Sequence, residues 1–158
     1  MAVQPPHPDL GELMRLIGAA GRRISEIEAS EGAAGNISVY VGWPVDAQEY
    51  FPDSEPISLP APVPHLAGGA LLVTGSGRRL REVLDDPLAN LGLVLVHEGG
   101  ATGRLCTSPR RLFERLTSEL NSHLAVHDDR LAGTTASFHA INHDQPLHLT
   151  YLSHIAAY

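Results

Sequence analysis

Three short clusters of small, polar and glycine residues are the parts of this chain best suited to holding an anion. The apolar run Leu71-Leu72-Val73 feeds directly into Thr74-Gly75-Ser76-Gly77. Glycine in such a turn lets the backbone approach a ligand, and its N–H groups can converge on a phosphate. A second cluster, Gly32-Ala33-Ala34-Gly35-Asn36, lies upstream, and a third, Thr117-Ser118-Glu119, lies downstream. Taken singly, each reads more readily as a plain strand-end loop. Glu119 also shares helical spacing with Leu112, Leu116 and Leu120. A carboxylate held beside such a stripe loses hydration, which raises its pKa and suits it to general acid or base work. The plain alternative is a solvated helix carboxylate.

Five of the nine histidines fall between His123 and His148. His123 and His127 are four apart, which on a helix places two rings on one face and could chelate a metal. The alternative is a pair of exposed histidines ending an amphipathic helix. His139 and His143 are also four apart, but on an extended strand that spacing separates them by about 13 Å. Zinc needs each ligand within about 2.1 Å, so only one of the two reaches a given ion unless the chain turns between them. Asp144-Gln145-Pro146 supplies a turn just beyond His143.

The elements that must position these residues follow from periodicity. Leu10, Leu13, Leu16, Ile17, Ala20, Ile24 and Ile27 predict a helix capped by Asp9 and ending near Ala29. Asn36–Val41 alternates polar and apolar residues, as a half-buried strand does. Residues 42–69 are rich in Pro, Gly and acid and read as a long surface excursion. Ala70–Val73 is a buried strand, and Arg78–Leu84 is one or two helical or irregular turns. Leu91–Val96, the turn Gly99-Gly100 and the return Gly103–Cys106 make a hairpin. Pro109 opens a helix that carries Leu112, Leu116, Leu120 and Leu124 and stops near Asp128-Asp129. Thr134–Ile141 reads as a strand and Leu147–Ala157 as a final helix. The sum is a single α+β domain, a mostly antiparallel central sheet flanked by helices.

Bulk properties narrow the partners. The 158 residues suffice for one domain. Hydrophobic residues make up 43% and charged residues 18%, as in globular rather than disordered chains. A net charge of −7, with no basic tract beyond Arg78-Arg79-Leu80-Arg81, argues against nucleic acid. No apolar run is long enough to span a membrane. The single Cys106 cannot form an internal disulfide, and no charged-then-apolar signal segment opens the chain, so a cytoplasmic location is expected.

In order and spacing, these motifs resemble the class II (zinc-dependent) aldolase/adducin-head family, closest to its rhamnulose-1-phosphate aldolase branch. The stretches that carry the likeness are Gly32–Ser38, the block Leu72–Gly92 (LVTGSGRRLREVLDDPLANLG), Leu116–His123 (LTSELNSH) and Leu149–Leu152 (LTYL). The resemblance implies retro-aldol cleavage of a phosphorylated ketose by a homo-oligomer. It implies a sugar-phosphate site formed by Gly35, Asn36, Thr74, Gly75, Ser76, Thr117 and Ser118, with Glu119 as the proton-transferring residue. Ala33 stands where the family has another Asn.

The resemblance also implies Zn²⁺, held by a His-x-His pair at a strand end and a third His well downstream. Counted back from Thr150, His143 fits the second of the pair and Ile141 takes the place of the first. In the other register His139 takes that role and Ser137 stands at the first position. One ligand of the pair is absent either way, and the downstream His has no counterpart before Tyr158, so the chain reads as the N-terminal part of such a protein with impaired metal binding and activity. Two other readings stay open: a non-catalytic assembly or sugar-phosphate-binding protein like the adducin head, and a sugar-phosphate epimerase.

Overall fold

The computed structural model describes residues 4–30 and 32–154. Six strands form one sheet in the order β2-β5-β4-β3-β1-β6, every neighbouring pair antiparallel. They are β1 (Asn36–Val41), β2 (Asp53–Ser58), β3 (Ala70–Thr74), β4 (Leu91–Val96), β5 (Thr102–Thr107) and β6 (Phe138–His143). With helices on both faces, this is the α+β architecture that the periodicity predicts.

Helix α1 (Leu10–Glu26) begins where Asp9 accepts a hydrogen bond from the Glu12 amide at 2.7 Å. Its buried stripe of Leu10, Leu13, Met14 and Ile17 packs on one sheet face against Ile37, Val39, Val41, Leu72 and Leu93. The opposite face buries Tyr40, Leu71, Val73 and Val94 beneath Leu124 and Leu131 of α3 (Leu120–Leu131) and beneath Leu66 and Phe113. Odd and even residues of β1 and β3 therefore serve different cores. This is why β1 is buried on both faces rather than half-buried: Ser38, a polar residue expected to face water, is fully enclosed.

Three other expectations are corrected. Residues 42–69 are not a surface excursion. They include β2, which pairs with β5 from Asp53 opposite Thr107 to Ser58 opposite Thr102, and the buried anchors Phe51, Val63 and Leu66. An edge strand needs no inward apolar alternation and tolerates Pro56, which is why its sequence lacks a strand signal. The helix expected from Pro109 starts only at Leu120. Residues 112–117 instead run beside the end of β3: Ser76 donates its amide to Arg115 at 2.9 Å, and Thr117 donates to Thr74 at 3.0 Å. The last strand begins at Phe138, not Thr134, because Thr134 closes the end of α3 by donating its hydroxyl to the Leu131 carbonyl.

Helix α2 (Pro87–Asn90) is one turn capped by Asp86, and α4 (Leu147–Ser153) follows β6. The expected continuation of α4 to Ala157 lies outside the described residues.

Candidate functional site

Three chain segments far apart in sequence meet at the end of the sheet where β1, β3 and β6 are neighbours. Asn36 opens β1, the Gly75-Ser76-Gly77 turn leaves β3, and Thr117-Ser118-Glu119 leads into α3. Together with Gln145 they line a cavity of about 250 Å³. Gly35 enters it at φ 103, a backbone angle that disfavours L side chains, and a Cβ there would crowd the His143 carbonyl and the Ser30 hydroxyl. Gly75 is required by close approach: any Cβ would overlap the Phe113 ring, which closes the turn from below.

Among the described residues, the backbone amides of Gly77 and Ser118 and the hydroxyls of Ser76 and Ser118 make no hydrogen bond within the protein. Four donors thus converge on one polar hollow at the N-terminus of a twelve-residue helix. The helix dipole adds positive potential there, and the combination suits a phosphate. The Arg78 guanidinium, although near, is engaged by Asn90, Glu82 and the Leu112 carbonyl, and so it braces the turn.

Glu119 is the N-cap residue of α3, not a mid-helix residue on an apolar stripe. Its carboxylate is 38% exposed, so the desolvation expected from the stripe gives way to specific polar contacts. His143 Nδ1 lies 2.6 Å from one carboxylate oxygen, and Asn36 Nδ2 donates to the same oxygen at 3.3 Å. A carboxylate that accepts two hydrogen bonds at the rim of an anion hollow can receive or return a proton to a bound molecule.

The structure therefore gathers Gly35, Asn36, Gly75, Ser76, Thr117, Ser118 and Glu119 around one cavity, with His143 adjoining through Glu119. Thr74 does not line it. The Thr74 hydroxyl is buried, accepts from the Ile37 amide at 3.2 Å and ties β3 to β1. His139 sits farther along β6, its Nδ1 2.8 Å from His127 Nδ1 and away from Glu119. His123 and His127 are neither exposed nor chelating. Both are buried, and both contact Ser38 Oγ, at 2.6 and 2.7 Å. Burial pushes the pKa of both rings down, His127 to about 3. Among the described residues no group of three or more His, Cys, Asp or Glu side chains is placed to hold a metal ion. The donor set thus does not fit the zinc centre that the resemblance implies.

Sequence reasoning does not find Gln145 or Ser38. Gln145 lies in the connection between β6 and α4, where the sequence marks a turn but no ligand-facing side chain. Ser38 is two residues from Asn36 on a strand, and period-two spacing places both on one face.

No protein-family model matches the chain. A rhamnulose-1-phosphate aldolase from Enterobacter sp. (strain 638) is 37% identical over 100 residues, covering 63% of this chain and 36% of that protein. One from Escherichia coli O157:H7 (strain EC4115 / EHEC) is 35% identical over 107 residues, covering 67% and 38%. The crystal structure of a sugar-phosphate aldolase from Thermotoga maritima superposes with a TM-score of 0.69 at 26% identity, over 92% of this chain and 58% of that one. The chain thus spans little more than a third of the length of the curated relatives it matches. It is similar in sequence to rhamnulose-1-phosphate aldolases over about two thirds of its length, and similar in fold to a sugar-phosphate aldolase over most of it.

Proposed function

From a chain homologous to class II aldolases over the part of their fold that it spans, we propose a protein that binds a phosphorylated ketose of the rhamnulose 1-phosphate type. The phosphate occupies the hollow between Ser76, Gly77 and Ser118, and the carbonyl end lies toward Glu119 and His143. The observation that carries this reading is the convergence of unpartnered hydroxyls and amides beside a carboxylate already held by two donors.

The chemistry that fits is retro-aldol cleavage. The hydroxyl on the carbon β to the carbonyl gives its proton to solvent water, the adjoining C–C bond opens to an aldehyde, and the electron pair is left as an enediolate. That enediolate is then protonated at carbon. Glu119 is the group placed to carry a proton to or from that carbon, with Asn36 and His143 fixing its orientation. The Ser76 and Ser118 hydroxyls and the free amides hold the phosphate and set the distance from it to the reacting carbon.

Class II chemistry draws on zinc to stabilise the enediolate. Among the described residues neither His143 nor His139 belongs to a group of three or more candidate ligands, and three protein ligands are usual for a catalytic zinc. Homo-oligomer formation is consistent with α4, whose Leu147, Leu149, Tyr151 and Leu152 are all exposed. Cytoplasm is the compartment this reading assigns; no described helix is long and apolar enough to cross a membrane.

The test is substrate-analogue binding and product analysis with the intact chain and a Glu119→Gln variant. Binding of the sugar phosphate by both, with aldehyde release only by the unmodified protein, supports the reading. Aldehyde release at equal rates would remove Glu119 from it.

A further inference from the structure

Behind Glu119 a line of buried and half-buried polar side chains crosses the sheet face. Asn36 Oδ1 meets His123 Nε2, His123 Nδ1 lies 2.6 Å from Ser38 Oγ, and Ser38 Oγ lies 2.7 Å from His127 Nε2. His127 Nδ1 then lies 2.8 Å from His139 Nδ1. Two residues of β1, two of α3 and one of β6 alternate along it. No buried side-chain nitrogen or oxygen among the described residues lacks a partner, so every position in the line is committed.

We propose that the Glu119 carboxylate dictates a single proton order along this line, and that Ser38 and His123 act as positioning residues holding the Asn36 amide N–H on Glu119. A carboxylate accepts, so the amide face turned to Glu119 is the NH₂, and Asn36 Oδ1 faces His123. His123 Nε2 must then carry the proton. A neutral imidazole has one donor and one acceptor, so His123 Nδ1 accepts, and the hydroxyl hydrogen of Ser38 goes to it. With that hydrogen spent, Ser38 Oγ accepts from His127 Nε2. His127 Nδ1 is left as an acceptor and takes its hydrogen bond from His139 Nδ1. Each assignment forces the next.

Burial supports the neutral state on which the count depends: His123 is 2% exposed and His127 fully enclosed. The functional consequence is rigidity at the reacting end. A free Asn36 amide could turn its oxygen toward Glu119 and repel it. The fixed order excludes that orientation, so the carboxylate keeps one aim into the cavity.

The order is read by imidazole ¹⁵N–¹H correlation spectra of the intact, ligand-free protein at neutral pH. The expected result is a single tautomer at each ring: Nε2–H for His123 and His127, Nδ1–H for His139. A bare Nε2 at His123 overturns the proposal. Glu119→Ala is the decisive variant, because residue 119 is half-exposed and its truncation leaves the core untouched. Without the carboxylate the amide faces only His143 Nδ1, 3.4 Å away, which can donate or accept. His123 and His127 should then populate both tautomers. Unchanged tautomers in that variant would show that the carboxylate does not set the order. Because the spectra need no ligand, this outcome is separate from success or failure of the sugar-phosphate reading.

Discussion

His143 Nδ1 lies 2.6 Å from the Glu119 carboxylate, joining the last residue of the edge strand β6 to the N-cap of α3. The two stand at opposite ends of a 25-residue stretch that passes through a helix, a turn and a strand, and their contact lies at the mouth of the proposed anion hollow. Glu119 belongs to both the hollow and the pair, and Asn36, which also lines the hollow, donates to it, so the proposed phosphate binding and proton transfer share one site.

Glu119→Gln keeps the shape of the side chain and removes its capacity to take up a proton. Positioned acid–base groups contribute about 10²–10⁴-fold to rate, and kcat for sugar-phosphate cleavage should fall within that range. Affinity for the phosphate end should change little, since the hollow is formed by other donors. Parallel kinetic and binding measurements check both halves.

Ser118→Ala removes a hydroxyl that has no partner within the protein. Folding stability should be unchanged to within about 0.5 kcal/mol. A hydrogen bond to a charged group contributes about 1.5–3 kcal/mol, so affinity for inorganic phosphate should drop by about tenfold or more. Titration calorimetry and a thermal melt on the same sample separate the two effects.

Gly75→Ala acts in the opposite way. The added Cβ has no room beside Phe113, and overpacking of this kind costs about 1–3 kcal/mol. Denaturant unfolding should show that loss. Phe113→Leu, by opening space, should relieve part of it in the double variant.

Acid should destabilise the fold through its buried histidines. His127 holds no proton in the folded protein until about pH 3, chiefly because burial penalises the charged ring, with His139 and His123 adding repulsion. In the unfolded chain the ring protonates near the ordinary histidine value of about 6.5. Its folded pKa is the lower one, so stability is complete above about pH 6.5 and declines as pH falls toward 3, by about 1.4 kcal/mol per pH unit for this residue alone. His123 shifts in the same direction and adds to the decline. Melts at pH 7.5 and 5.5 test this. His127→Gln should flatten the slope, whatever its effect on absolute stability.

A chelator should leave the melting temperature unchanged, because the described residues form no three-ligand group. A tightly held zinc binds the folded state and must raise its stability. A chelator-sensitive melt with about one zinc per chain would show that other side chains rebuild a site.

Much of this fold is readable in the sequence where local pattern and final environment agree. Asn36–Val41 and Leu91–Val96 are predicted and observed over the same residues, since β-branched and leucine-rich runs bounded by Asn and Gly have few alternatives. The segment 109–119 misleads because Leu112, Leu116 and Leu120 repeat at a helical interval while tertiary contact decides otherwise. Leu112 is exposed, and the backbone around Leu116 bonds to the Gly75 turn, about forty residues earlier in the chain. The cavity-lining clusters are recognisable by type and order, but no single one reveals that it faces the others. Ser38 is the clearest gap. A lone serine in an apolar strand looks solvent-facing until α3 covers it, and only the matching intervals, Asn36 to Ser38 on a strand and His123 to His127 on a helix, hint that the two faces meet.

The most direct test of the central claim is calorimetric titration of the intact chain with rhamnulose 1-phosphate and, separately, with unphosphorylated rhamnulose. Saturable binding of the phosphate ester alone, weakened about tenfold by Ser118→Ala, is the expected result. Equal affinity for both sugars, or no binding of either, would contradict the assignment of the Ser76–Ser118 hollow as a sugar-phosphate site.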